Sequence, residues 1–294
     1  MTVNAATREQ KVREALSEIS HIATLPEITM QIINLVEDTS STAQDLQNVI
    51  SNDPALCARI LKVVNSSFYG LPGQVSSINR AIVMLGLNAV KNIAIAASLA
   101  KLFRGGDLTP RFSAKMLWSH SNAVAIGSKI IADELNLGLG DEAYLAGLMH
   151  DIGIMLEMQY DRNQLIDVVS RTGPDSDGVP ANDMLEVELG VFGATHEEFG
   201  RGLCSQWKFP ASFAAVCGHH HNPLTAPEEH RRLVSLVTVA DRVAATLGEN
   251  YRLDLISTEI PGEVMNEIGL TEHMLEGLAP RIDEALSVGE ISMS

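Results

Sequence analysis

A histidine and an aspartate stand side by side within an apolar segment of this sequence. Residues 147–155 read GLMHDIGIM, and His150 and Asp151 are the only ionisable groups in the segment. Because burial of an unpaired charge is costly, the two groups must either face water or have a partner in the core. A metal ion is one such partner, so this pair is the first candidate site.

Two further groups fall on the apolar faces of predicted helices. In MLWSHSNAVAIG, Leu117 and Val124 share a helical face with His120. In LVTVADRVAATLG, Asp241 has apolar residues three and four positions away on its own face. A lone inward histidine is commonly a core residue bonded to a backbone carbonyl, whereas a buried carboxylate needs a partner. Asp241 therefore indicates a metal more strongly than His120 does.

Histidines also stand near two predicted helix ends. His196 follows Thr195 at a helix start, and His219, His220 and His221 directly precede an Asn-Pro step, where a helix must end. Each could be a first-turn or solvated loop residue, or a ligand presented at a helix terminus. Imidazole nitrogens and carboxylate oxygens suit iron, manganese, zinc or nickel. A carboxylate between two ions, with imidazoles around them, is a common two-metal hydrolytic centre.

The elements that would position these groups are helices. Predicted helix starts carry a capping side chain or an early proline, and they are Leu25-Pro26, Asp53-Pro54, Ser77, Thr109-Pro110, Asp141 and Thr195-x-x-Glu198. Residues 173–182, GPDSDGVPAN, are the clearest loop. We find no convincing strand pattern, and a break near residues 104–110 separates two groups of helices. The sequence therefore predicts an all-α fold of two bundles.

The composition limits the partners of this protein. The 294 residues include 37 acidic and 21 basic side chains, giving a formal charge of -16 that disfavours direct binding to nucleic acid or anionic membranes. No apolar run is long enough to span a bilayer, and the first residues lack a signal-peptide pattern. The three cysteines show no disulfide or metal spacing, which indicates a reducing, cytoplasmic compartment.

The order of the candidate ligands is similar to that of a known superfamily. His120, His150-Asp151 and Asp241 resemble the H…HD…D pattern of the HD superfamily of metal-dependent phosphohydrolases. The additional His196 and His220-His221 resemble the further ligands of the two-metal HD-GYP branch.

Over about residues 18–245, most strongly in its N-terminal half, the chain resembles the HDOD domain, the HD-related output domain of bacterial signalling proteins. The resemblance lies in the LPEITMQ start, the Asp53-Pro54 helix, the VVNSSFYG and AIVMLGLNAVKNI segments, and HHHNP at 219–223. It implies an all-α fold in which an N-terminal helical bundle packs against an HD-like helical bundle. The implied parts are an N-terminal helical arm (1–17), an N-terminal HDOD subdomain (18–108), an HD-like subdomain (109–250) and a C-terminal helical extension (251–294).

The resemblance also implies a site that holds one or two divalent ions of iron, manganese, zinc or nickel. Its residues are His120, His150, Asp151 and Asp241 for one ion, and Asp151, His196, His220 and His221 for a second. Asp151 would bridge the ions and would be the catalytic residue of an active enzyme. In the triplet, 220 and 221 are preferred because the paired histidines should stand just before the residue that precedes proline.

Two departures argue against hydrolysis of cyclic di-GMP. Catalytic HD-GYP proteins resemble each other in having a lysine at the end of an HDxGK motif, and Ile154 occupies that position here. The GYP signature after the paired histidines is also absent, since NPLTAPEEH follows instead. A lysine can hold a substrate phosphate, and isoleucine cannot.

Three functions follow as hypotheses. The favoured one is a bacterial signal-transduction output module with little or no catalysis, whose partners are signalling proteins and whose ligand could be a nucleotide. The alternative is a metal-dependent phosphohydrolase that acts on a nucleotide or phosphodiester. The third is a helical scaffold in which the core histidines have purely structural partners.

Overall fold

The architecture of the protein was examined in a computed structural model, which describes residues 5–19, 27–38, 40–66, 68–100, 102–103, 106–247 and 251–289. The described residues are almost wholly helical, as the sequence predicted. The predicted helix start at Leu25-Pro26 and part of the predicted break, residues 104 and 105, lie outside the described residues. The division of the chain into four parts stays a prediction.

The N-terminal helices, apart from the first, pack around one helix that is buried over most of its length. They are α1 (Ala5–Glu18), α2 (Glu27–Glu37), α3 (Ala43–Ser51), α4 (Pro54–Val64), α5 (Ile78–Leu85) and α6 (Leu87–Leu99). Helix α6 is rich in alanine and isoleucine and is buried on all sides from Ala89 to Leu99, and the buried Lys91 ammonium donates to Leu35 O and Ser41 Oγ. It contacts α2, α4 and α5 and also the second bundle, so it joins the two halves.

The second bundle contains the candidate ligands. Its helices are α7 (Ala114–Glu134), α8 (Gly140–Met149), α9 (Ile152–Tyr160), α10 (Arg162–Thr172), α11 (Met184–Val191), α12 (His196–Gln206), α13 (Ala211–His219) and α14 (Glu228–Ala244), with a 3-10 turn at Pro223–Thr225. Helices α15 (Gly262–Ile268), α16 (Glu272–Glu276) and α17 (Leu278–Gly289) follow. Helix α7 packs against α8, α14 and α17, and α1 packs on α12.

Several predicted helix starts are confirmed by their hydrogen bonds. The side chains of Asp53, Ser77 and Thr195 accept from the backbone N–H three residues on, and Thr195 forms a capping box with Glu198. Such caps satisfy N–H groups that have no partner within the helix.

Two predicted helix starts are wrong. Thr109-Pro110 does not start a helix, because Asp107–Thr109 (β1) pairs antiparallel with Phe112–Ser113 (β2) and the intervening residues form the turn. The helix begins at Ala114, where the Ser113 hydroxyl accepts from Met116 N–H. Asp141 is not a cap, since α8 begins one residue earlier, without a side-chain cap. Within the described residues, no helix combines the length and apolar character needed to cross a bilayer.

Candidate metal centre

The His150-Asp151 pair lies at a break between two helices. Helix α8 ends at Met149 and α9 begins at Ile152. Neighbouring side chains on a continuous helix diverge by about 100°. The break instead leaves His150 Nε2 only 3.2 Å from Asp151 Oδ2, with both side chains fully buried. Both members of the pair can therefore serve the same site.

A close backbone contact brings the start of α9 to the start of α12. A methyl group added at Gly153 would overlap the carbonyl oxygen of His196 and would lie 2.8 Å from the amide nitrogen of Gly200. Glycine is therefore needed for the two helices to approach so closely. The contact places His196 beside Asp151, with His196 Nε2 3.7 Å from Asp151 Oδ1.

One group of candidate ligands joins α7, α14 and the helix break. His120 Nε2 lies 3.0 Å from Asp241 Oδ1, and His150 Nε2 lies 3.7 Å from the same oxygen. The three side chains are at most 1% exposed. Their ligand atoms all lie within 4.8 Å of one another, which is close enough for one ion to contact all three.

A second group lies on the other side of Asp151. His220 Nε2 is 3.2 Å from Asp151 Oδ1, and the Nε2 atoms of His196 and His221 are 3.0 Å apart. The ligand atoms of Asp151 and these three histidines also lie within 4.8 Å of one another. One oxygen of Asp151 thus faces His150 and the other faces His196 and His220, which is the arrangement that a bridging carboxylate requires.

Hydrogen bonds on the far side of the rings aim the histidines into the site. His150 Nδ1 donates to Gly147 O at 2.7 Å, and His220 Nδ1 donates to Val216 O at 3.2 Å. His196 Nδ1 donates to Glu188 Oε1 at 2.8 Å. Histidines that bind a metal typically donate their other ring N–H to a carbonyl or carboxylate. The backbone bonds are therefore compatible with ligand roles and do not by themselves favour a scaffold.

Several buried polar atoms of the site lack a hydrogen-bond partner among the described residues. They are Nε2 of His150, Nε2 of His220, both carboxylate oxygens of Asp151 and Oδ2 of Asp241. Buried polar groups without partners are costly and uncommon. Divalent cations would satisfy all of these atoms together, and the N/O donor set fits iron, manganese, zinc or nickel.

The electrostatics of the site depend on its carboxylates. Burial opposes protonation of His150, but Asp151 and Asp241 outweigh burial and raise the pKa of His150 to about 9. Burial also opposes ionisation of Asp151, yet His150 and His220 hold the pKa of Asp151 well below its usual range. A buried site with this concentration of negative charge favours cations.

All seven side chains predicted from the sequence are brought together, and their binding of metal stays a prediction. Of the histidine triplet, His220 and His221 join the site, whereas His219 Nδ1 lies 3.0 Å from Thr225 Oγ1. The two histidines preferred from the sequence, His220 and His221, are thus the two that lie at the site. Ile154, at the position of the lysine in HDxGK, is fully buried in the core.

Sequence reasoning missed three acidic residues around the ligands. Glu188 is the hydrogen-bond partner of His196. Glu157 is fully buried beside Glu188, and burial, together with the Glu188 carboxylate, raises the pKa of Glu157 well above its usual range. Asp254 lies in the part of the chain that was predicted as a mere helical extension, with Oδ2 3.6 Å from His221 Nε2. Asp254 stands between two leucines, Leu253 and Leu255, but outside any helical pattern that would give the direction of its side chain.

The helical fold agrees with the comparisons to known proteins. The HDOD domain matches residues 22–223, and the chain belongs to the HDOD family. A curated relative, an uncharacterized protein of Treponema pallidum (strain Nichols), is 25% identical over 245 residues, or 81% of this chain. The chain spans only 45% of the length of that relative.

Two solved structures are similar in fold. An HDOD domain protein of unknown function from Geobacter sulfurreducens is 23% identical, with a TM-score of 0.75 over 97% of this chain and 96% of the other. A protein from Shewanella amazonensis SB2B, provisionally named a phosphohydrolase, is also 23% identical, with a TM-score of 0.71 over 94% and 96% of the two chains.

Proposed function

We propose that this chain is a bacterial signal-transduction output module of the HDOD type, with a divalent-metal centre and little or no catalysis. The observation that carries the proposal is the enclosure of a complete ligand series. Of the seven candidate ligands, six side chains are at most 1% exposed and His221 is 10% exposed. A hydrolytic centre needs an open mouth and a cationic group for the phosphate, and Ile154 supplies no such cation.

The proposed role of the metal is to hold the second bundle together. The candidate ligands come from α7, the α8–α9 break, the start of α12, the residues after α13, and α14. Ion binding by residues from such distant parts of a chain adds directly to folding free energy. Metal occupancy would therefore set the stability of the second bundle.

The proposed partners are signalling proteins. The net charge of -16 suits a partner protein with a basic surface and disfavours direct binding to nucleic acid. Cys57, Cys204 and Cys217 are free thiols, which suits a reducing compartment and the proposed cytoplasmic location.

The second candidate function is a metal-dependent phosphohydrolase that acts on a nucleotide or phosphodiester. It is favoured by the bridging position of Asp151 between the two ligand groups. Bound divalent ions would supply Lewis acidity and a water of lowered pKa. Asp151 would position both ions. Asp241 and the imidazoles of His120 and His150 would complete one shell, and those of His196, His220 and His221 the other.

The two functions are separated by metal loading and assay of the same preparation. The protein is loaded with manganese or iron under reducing conditions, its metal content is measured by elemental analysis, and hydrolysis of cyclic dinucleotides and nucleotides is followed. Asp151→Ala is the test variant, and Asp177→Ala is the control because Asp177 is exposed in the 173–182 loop. We expect the wild type and Asp177→Ala to bind metal and to melt at a higher temperature with metal than without it. Hydrolysis should stay at background in both.

Either part of the proposal can fail. Robust metal-dependent hydrolysis that is lost in Asp151→Ala and kept in Asp177→Ala would establish the phosphohydrolase. If the wild-type protein neither retains metal nor is stabilised by it, the proposed metal centre is wrong and the scaffold hypothesis is favoured.

A further inference from the structure

A short segment beyond α14 folds back over the candidate metal centre. Residues 251–255, YRLDL, have no regular secondary structure, yet Tyr251, Leu253 and Leu255 are only 1%, 3% and 4% exposed. Burial of these apolar side chains fixes the segment to the bundle. We refer to residues 251–255 as the capping segment.

Tyr251 anchors the capping segment beside the first ligand group. Its ring centroid lies 5.7 Å from that of His120 and 5.7 Å from that of Phe112 in β2, both in edge-to-face geometry. The phenol hydroxyl donates to the sulfur of Met184 in α11 at 3.3 Å. These contacts hold the segment against β2, α7 and α11.

Asp254 directs a carboxylate into the second ligand group. Its side chain is fully buried, and Oδ2 lies 3.6 Å from His221 Nε2. Neither carboxylate oxygen has a hydrogen-bond partner among the residues that the structure describes. A buried carboxylate without donors is strongly destabilising unless a charge partner offsets it.

The surroundings of Asp254 point to a cation as that partner. Asp254 lies against His221, whose Nε2 is 3.0 Å from that of His196, and His196 Nε2 in turn lies 3.7 Å from the buried Asp151 carboxylate, while Asp241 lies against His120 and His150. Three buried carboxylates therefore lie around one set of histidines. Two divalent ions would offset their combined charge, whereas the neutral imidazoles that metals require would not.

We propose that Asp254 is an additional ligand of the metal centre, and that the capping segment thereby closes the centre to outside anions. The proposal rests on the metal centre of the proposed function. His221 is the most exposed of the candidate ligands, at 10%, and Asp254 lies against it. The Asp254 carboxylate therefore occupies the side from which the oxygen of a phosphoester would approach an ion. Displacement of the capping segment would free that coordination position for a phosphate group.

The test combines metal affinity with the melting temperature of the metal-free protein. Loss of a metal ligand should weaken metal binding without lowering that melting temperature, whereas loss of a structural residue should lower it. Asp254→Asn keeps the shape of the side chain and removes the charge, and Asp283→Asn is the control, since Asp283 is exposed in α17. We expect Asp254→Asn to bind manganese at least about tenfold more weakly than the wild type. We also expect its metal-free melting temperature to equal or exceed that of the wild type, because the buried carboxyl group has no hydrogen bond to lose.

A gain of phosphate binding tests the closure. With manganese at saturating concentration, inorganic phosphate should bind Asp254→Ala measurably more tightly than the wild type or Asp283→Asn. A second measurement uses only the wild type, where manganese should slow hydrogen exchange at the amides of residues 251–255.

The outcomes distinguish this inference from the metal centre itself. If the wild type binds no manganese, the proposed metal centre is wrong, and the ligand role of Asp254 with it. If the wild type binds manganese and Asp254→Asn binds equally well, or if exchange at residues 251–255 is unchanged by manganese, only the ligand role of Asp254 is overturned.

Discussion

Glu188 holds His196 through both its ring and its backbone. The Glu188 carboxylate accepts from His196 Nδ1 at 2.8 Å and from the His196 backbone N–H at 2.9 Å. The remaining ring nitrogen, Nε2, is thereby directed toward Asp151 and His221. Carboxylate–histidine pairs of this kind fix the tautomer of a metal ligand and raise its basicity. Glu188 is accordingly a positioning residue of the candidate centre.

Glu188→Gln should weaken metal binding without unfolding the protein. The amide can still occupy the site, but it loses the charge that favours the Nδ1–H tautomer, so metal affinity should fall by about 10–100-fold. Titration of manganese against a competing chelator measures the change. Glu186→Gln, an exposed position on the same helix, is the control and should bind as the wild type does. Equal affinity in the two variants would remove the positioning role.

Substitution of single ligands should show that each ligand group holds its own ion. His196→Ala removes a ligand from the second group only, and His120→Ala removes one from the first group only. Each should retain one ion after dialysis, because the other group stays complete. Asp151→Ala should retain neither, since its two oxygens face both groups. Elemental analysis of the dialysed proteins gives the stoichiometry, and equal loss in all three variants would contradict two separate positions.

Loss of the Thr195 cap should affect stability and metal binding together. The Thr195 side chain caps α12 at the residue that precedes His196. Thr195→Ala should lower the free energy of unfolding by about 1 kcal/mol and weaken metal binding, because the first turn of α12 loosens. Thr42→Ala removes an equivalent capping box on α3 in the first bundle. Its stability should fall without a change in metal affinity, as denaturant titration and metal titration would show.

Gly153→Ala should be among the more damaging single substitutions in the second bundle. The added methyl would collide with the backbone of α12, which cannot move aside as a side chain can. Overpacking of this kind typically costs about 1–3 kcal/mol, and a backbone clash belongs at or above the upper end. Gly190→Ala is the matched control, since its methyl would meet nothing within 4 Å and should stabilise α11 by up to about 1 kcal/mol. Thermal melting measures both variants. A melting temperature of Gly153→Ala close to that of the wild type would contradict the close contact.

Local signals predicted the fold well because many of the helix boundaries are set by local contacts. The caps at Asp53, Ser77 and Thr195 each involve residues within one turn, so sequence pattern alone contains them. The hairpin at residues 107–113 did not follow from the sequence. Thr109-Pro110 has the pattern of a helix start, and the pairing of β1 with β2 is a short, irregular ladder without an alternating apolar pattern.

The candidate ligands on helices could be predicted for the same reason, whereas Asp254 could not. Helical periodicity placed His120 and Asp241 on inward faces, and the resemblance ordered the rest of the series. Asp254 reaches the site through an irregular segment, so no periodicity gives the direction of its side chain. Glu188 was missed because its link to His196 crosses the turn between α11 and α12, where spacing alone does not determine geometry.

The contact between His120 and Asp241 joins residues that are 121 positions apart in the chain. During synthesis, the first ligand group cannot assemble until Asp241 has left the ribosome, long after His120 has done so. Metal acquisition would consequently be a late step, after the helices of both bundles have had time to form. If the proposed metal centre forms, a cell short of the metal would then accumulate chains with folded helices and two empty ligand groups.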